Sequence, residues 1–114
     1  MKRILLFLFL TVTSCNNLKV DCDGVAKEYR QTECILIFES LPVFQQRSLN
    51  PRGKDIITGK ECECKEDGSW WSQYDKYLEK GDTIIKRKGE LVFSIHKKDT
   101  VLNFNWECEG KIYK

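Results

Sequence analysis

The apolar residues of this chain fall into stretches of different period. Residues 33–39, ECILIFE, are strand formers at strand length. They are too few and too apolar for a surface helix and read as a central strand. From residue 42 to residue 59 the pattern breaks around Pro51, Gly53 and Gly59, so loops around short strands are expected there. Residues 60–66, KECECKE, alternate cysteine with glutamate, as in a strand with thiols on one face and carboxylates on the other. Asp67-Gly68 marks a turn.

Residues 69–80, SWWSQYDKYLEK, predict the one good helix of the domain. At α-helical spacing Trp70, Tyr74, Tyr77 and Leu78 share a buried face, and Trp71 lies about 100° away and partly exposed. Ser69 suits the N-cap and Gly81 the residue after the C-cap. The last third predicts three strands and two tight turns. A two-residue loop at Lys88-Gly89 sets Ile84 against Phe93 and Ile85 against Val92. A second at Lys98-Asp99 sets Ile95 against Leu102, Phe93 against Phe104 and Leu91 against Trp106. A three-residue loop there would throw the two apolar rows onto opposite faces. The other face of these strands carries Val92, Ser94, His96, Val101, Asn103 and Asn105 and should be wet. The expected fold is mainly β with minor α: a small antiparallel curled sheet or partly open barrel of roughly five to seven strands. The Trp-rich helix closes it, and a three-stranded meander ends it.

The first fourteen residues, MKRILLFLFLTVTS, have a different plan. Lys2 and Arg3 form a basic head, residues 4–10 an unbroken apolar run, and Thr13-Ser14 a small polar end, as in a secretory signal. The run is far short of the ~20 apolar residues of a spanning helix. Val12-Thr13-Ser14-Cys15 resembles the lipobox of bacterial lipoproteins, with Val in place of the commoner Leu. The resemblance implies a diacylglycerol on the Cys15 sulfur, removal of residues 1–14, and frequent acylation of the new amine. Two or more acyl chains, at roughly 0.8 kcal/mol per buried CH₂, hold a protein on a bilayer. Asn16 rather than Asp after the cysteine favours the outer over the inner membrane. Residues 15–24 then form a polar tether, whose nine residues beyond Cys15 reach at most about 30 Å. Residues 25–114 form a single small β-rich domain. It resembles the short uncharacterised lipoproteins of two-membrane envelopes.

Charge narrows the partners. The chain carries 19 basic and 17 acidic side chains for a net charge of +2, and removing Lys2 and Arg3 leaves the rest neutral. Nucleic acid and a polybasic membrane patch are both disfavoured, because phosphate binding needs a positive field. The membrane is expected to be met through the lipid.

Five cysteines remain after Cys15: Cys22, Cys34, Cys62, Cys64 and Cys108. An oxidising compartment makes disulfides the default, and an odd count leaves one thiol over. Cys62 and Cys64, about 7 Å apart on one strand face, should not join each other. The favoured bridge joins one of them to Cys108 or Cys34. The competing reading gathers Cys62, Cys64, Cys108 and His96 as a zinc or copper(I) site, but CxC is a short spacing with no second pair. His96, the single histidine, is expected solvated at a strand end. No G-x-S-x-G, Gly-rich phosphate loop or H-E-x-x-H occurs. The acidic ECECKED run reads as a solvated face rather than a calcium site, and WWSQY as a helix seam rather than a sugar platform.

No catalytic residue, metal or cofactor is therefore assigned. The expectation is a non-enzymatic, membrane-anchored interaction or structural module. An inhibitor or immunity lipoprotein that neutralises a toxin or hydrolase is the alternative, and a cysteine-based metal carrier the third reading.

Overall fold

The structure is a computed structural model that describes residues 20–42, 48–66 and 68–114. The leader, residues 15–19 of the tether with Cys15 among them, and Asp67 of the expected turn lie outside the described residues. A helix α1 (Cys22–Gln31) leads into β1 (Cys34–Ser40), β2 (Arg52–Asp55) and β3 (Glu61–Glu63). A 3₁₀ helix (Trp71–Tyr77) precedes β4 (Thr83–Lys86), β5 (Val92–His96) and β6 (Val101–Asn105). Two short strands, β7 (Glu107–Cys108) and β8 (Lys111–Ile112), end the chain. The first six strands form one antiparallel sheet, ordered β3-β2-β1-β4-β5-β6, and β7 and β8 pair separately. The fold is mainly β, as the sequence predicts, and the sheet does not close into a barrel. Among the described residues no helix is long and apolar enough to cross a membrane.

Alternation in β1 puts Cys34, Leu36 and Phe38 inward, so the ECILIFE stretch is indeed central. Ile84 of β4 and Phe93 and Ile95 of β5 continue the inner row, and all three are fully buried. β2 and β3 are short. Gly53 of β2 lies where β1 bulges between Phe38 and Ser40, and a Cβ there would sit 1.8 Å from the Ile37 carbonyl oxygen. Only glycine permits that approach.

The β5–β6 register is the predicted one, with Phe93 opposite Phe104 and Ile95 opposite Leu102. The Trp106 amide donates to the Leu91 carbonyl (3.1 Å), which extends the same register. The β4–β5 register differs. Ile84 faces Ile95 and Ile85 faces Ser94, a slip of two residues from the expected pairs. The turn itself lies at the predicted place, with Glu90 N bonded to Arg87 O (3.1 Å) and Gly89 at φ 89°. Two residues are taken up after it because Gly89 N donates to Arg30 O at the end of α1, and Leu91 turns into the core. A slip of two keeps every side chain on its face, so burial alone does not choose between the registers.

The Trp-rich segment corrects two expectations. It is a 3₁₀ helix, not an α-helix, and Ser69 does not cap it. At three residues per turn Trp71, Tyr74 and Tyr77 stack on one side. That row lies along the inner sheet: Trp71 on Phe93 at 5.5 Å, Tyr74 on Phe104 at 4.0 Å and Tyr77 on Phe104 at 5.4 Å. Trp71, expected half in water, is therefore fully buried.

Sequence period does not predict helix α1, and its first three residues fall in the stretch read as tether. Asp21 caps it, accepting from Gly24 N at 3.1 Å. Cys22, Ala26 and Tyr29 form its buried stripe. Tyr29 packs between Trp70 (5.4 Å) and Trp106 (5.6 Å), which joins the helix to the core.

Candidate functional site

Four of the five candidate cysteines are joined in two disulfides. Cys22 is bonded to Cys108, tying the start of α1 to β7, and Cys34 to Cys64, tying the start of β1 to the residue after β3. The second bond has a consequence for shape. β3 lies two strands from β1, which is roughly 9–10 Å in a flat sheet. The Cα atoms of Cys34 and Cys64 are 5.6 Å apart, so the β2–β3 ribbon curls back over the inner face.

Cys62 is the cysteine without a bridge among the described residues. Burial first, then the charges of Asp55, Glu61 and Glu39, push its thiol pKa up. A protonated thiol is a poor nucleophile and a poor metal ligand. The set of Cys62, Cys64, Cys108 and His96 does not assemble: two of its thiols are spent in different disulfides. No group of three His, Cys, Asp or Glu among the described residues is placed to hold a metal. His96 ends β5, half-buried rather than solvated, opposite Thr83 and Val101.

The groups that depart most from ordinary behaviour are two that sequence reasoning passed over. Glu66, the last carboxylate but one of the run read as solvated, is only 6% exposed. Its Oε1 accepts from Leu49 N at 3.0 Å and its Oε2 from Trp71 N. Those amides favour the carboxylate, but burial outweighs them and its pKa is pushed up to about 7. Glu66 thereby joins the segment after β3, the 48–50 segment and the 3₁₀ helix. The Tyr29 hydroxyl is close enough for Glu66, after burial, to raise its pKa.

Lys86 is the second. It sits on β4 two residues after Ile84 and so faces inward, with no exposed surface. Its Nζ donates to Tyr29 O (2.5 Å) and Thr32 O (2.7 Å), carbonyls at the end of α1. An ammonium there meets the negative end of the helix dipole. Burial still dominates and holds its pKa down to about 8. Period two counted from Ile84 would have placed Lys86 inside; no comparable signal marks Glu66.

A third polar cluster is shallower. Lys97 Nζ binds Asp82 (2.6 Å) and Glu79 (3.0 Å), and Asp82 also accepts from Glu79 N (2.8 Å), closing the turn before β4. It is an ion pair with a structural task.

Several clefts open on the surface of the described residues. One of about 320 Å³ is lined by Glu33, Ile35, Ile57, Cys62 and Glu63, among others. One of about 260 Å³ lies between the 3₁₀ helix and β6–β7, lined by Trp70, Gln73, Tyr74, Asn105, Trp106 and Glu107. The aromatic rings of the second are packed on rings behind it: Trp106 on Tyr113 at 5.1 Å and Tyr74 on Phe104. The seam reading of WWSQY describes this packing, and the rings a sugar would need are occupied by their neighbours. Neither cleft is lined by Glu66 or Lys86. Cys62 and Tyr74, whose pKa values burial raises, line the first and the second of these clefts, whereas Glu66 and Lys86 lie in the interior. No protein-family model matches this chain, and no curated protein and no solved structure matches it.

Proposed function

We propose that this chain is an acylated envelope protein, held to a bilayer through Cys15, whose small β domain acts as a non-enzymatic interaction or structural module. The run Val12-Thr13-Ser14-Cys15 at the end of a basic and apolar leader carries the reading, and the cysteine count accords with it. Four of the six cysteines form two bridges, and Cys62 stands unbridged among the described residues. Two disulfides accord with the oxidising compartment that the leader implies. In that compartment an unmodified Cys15 is a candidate partner for Cys62. An acyl group on Cys15 removes the partner and leaves Cys62 as the odd thiol.

Asn16, the residue after the anchor, favours sorting to the outer membrane. Helix α1 starts at Cys22, so the spacer between anchor and helix runs from Asn16 to Asp21. At ~3.6 Å per residue those residues hold the domain within about 22 Å of the bilayer surface.

The test is growth of a producing bacterium with labelled palmitate, followed by intact mass measurement with and without reduction. The expected product begins at Cys15, carries acyl chains, gains four hydrogens on reduction of its two bridges, and loses the label in Cys15→Ser. An unlabelled protein whose Cys15 is bonded to Cys62 would end the proposal.

A further inference from the structure

We infer that the free edge of β6 pairs with β6 of a second copy of this chain, around a twofold axis at Asn103. The sheet order leaves β3 and β6 at its two edges, and these are unlike. β3 is three residues long with both glutamates exposed. Short length and charge are common means of keeping an edge from pairing. β6, Val101-Leu102-Asn103-Phe104-Asn105, has no charge, no proline and no glycine, and its register with β5 is unbroken over its length.

The direction of its backbone groups follows from two hydrogen bonds. Lys97 N donates to Thr100 O (2.8 Å) and Trp106 N to Leu91 O (3.1 Å). Both pairs continue the β5–β6 register, in which bonded and non-bonded pairs alternate. Leu102 and Phe104 are thus the residues bonded to β5. Val101, Asn103 and Asn105 turn their N–H and C=O groups to the free edge, and no strand among the described residues meets them.

Self-complementarity selects a second copy over another occupant. Antiparallel pairing about Asn103 sets Asn103 against its counterpart, Val101 against Asn105, and Leu102 against Phe104. Every outward group of Val101, Asn103 and Asn105 then has a partner in both chains. No charges oppose each other within the strand. The apolar pair also lands on the inner row where cover is thinnest: Leu102 and Phe104 are only half-buried, and Tyr77, stacked on Phe104, is 40% exposed. Val101 is 45% exposed on the opposite face and would be partly covered.

The test uses the full chain in cells, with Cys62→Ser to remove the odd thiol. Asn103→Cys places two sulfurs across the axis, with Cα atoms about 5.5 Å apart, inside the range a disulfide spans. Asn105→Cys places them roughly 14 Å apart, beyond it. The expected result on a non-reducing gel is a dimer band for Asn103→Cys and none for Asn105→Cys. Asn103→Lys, which sets two ammonium groups opposite each other, should weaken the dimer of the otherwise unaltered chain at least several-fold in sedimentation, with its circular dichroism unchanged. A monomer at about 100 µM, equal cross-linking at both positions, or a dimer indifferent to Asn103→Lys would overturn the inference, the last two pointing to a different interface. Repeating both readouts with Cys15→Ser separates this inference from acylation of that residue.

Discussion

Glu66 makes this protein's stability depend on pH in the direction opposite to that of most carboxylates. In the folded chain its carboxyl keeps its proton up to about pH 7, whereas in the unfolded chain it releases it near 4.5. Between those values the native state binds more protons, so stability falls as pH rises. At ~1.4 kcal/mol per pH unit, the interval amounts to about 3 kcal/mol, fully present below pH 4.5 and lost above pH 7. That is a large part of the ~5–15 kcal/mol that holds a small domain. The assay is urea unfolding followed by circular dichroism at pH 5, 6, 7 and 8, with the free energy extrapolated to water. Glu66→Gln should flatten the profile. It should also be less stable than the parent at pH 5 by about 1–3 kcal/mol, because its amide nitrogen cannot accept, and one of Leu49 N and Trp71 N loses its partner. A parent profile that is flat or rises from pH 5 to pH 8 would refute the argument, since it would mean that the two amides, not burial, control the carboxyl.

Three further outcomes are expected. Lys86, held down to about 8 against 10.5 when unfolded, deprotonates first in the native state; stability should therefore rise by about 3 kcal/mol between pH 8 and 10.5 in a Cys62→Ser background, and Lys86→Met should abolish the rise. Replacing Cys22 and Cys108 by alanine opens the longer loop, with a sequence separation of 86 against 30, and should cost about 4–5 kcal/mol in equilibrium unfolding against about 3–4 for Cys34 and Cys64. Gly53→Ala drives a Cβ into the Ile37 carbonyl and should cost at least ~2 kcal/mol, whereas Gly59→Ala, at φ 73° with open space around it, should cost about 1 kcal/mol, both read from thermal unfolding.

Several features were legible in the sequence because they depend on near neighbours. Alternation alone assigns Leu91, Phe93 and Ile95 to the inner row. It also sets the β5–β6 register, because a two-residue loop is the one that keeps two apolar rows together. The odd cysteine count after Cys15 announces an unbridged thiol, and the expectation that Cys62 or Cys64 joins Cys34 or Cys108 includes the Cys34–Cys64 bond. Turn chemistry marks Gly89, which takes the positive φ expected of it.

Other features were settled only when distant parts of the chain met. Residues 22–31 carry just three buried positions in a polar setting, and the stripe acquires meaning through Trp70, Trp106 and the Cys108 bridge. The Trp-rich segment reads locally as an α-helix; stacking on the rings of Phe93 and Phe104 favours the 3₁₀ form that aligns Trp71, Tyr74 and Tyr77. The β4–β5 slip follows from an amide reaching Arg30, and both registers satisfy the same alternation. Glu66 is tolerated inside because Leu49 N and Trp71 N receive it, and Lys86, which the period of β4 turns inward, because Tyr29 O and Thr32 O do. Period and spacing are properties of adjacent residues and are written in the order of the chain, whereas the partner that makes a buried charge or a particular helix tolerable is brought near only by folding.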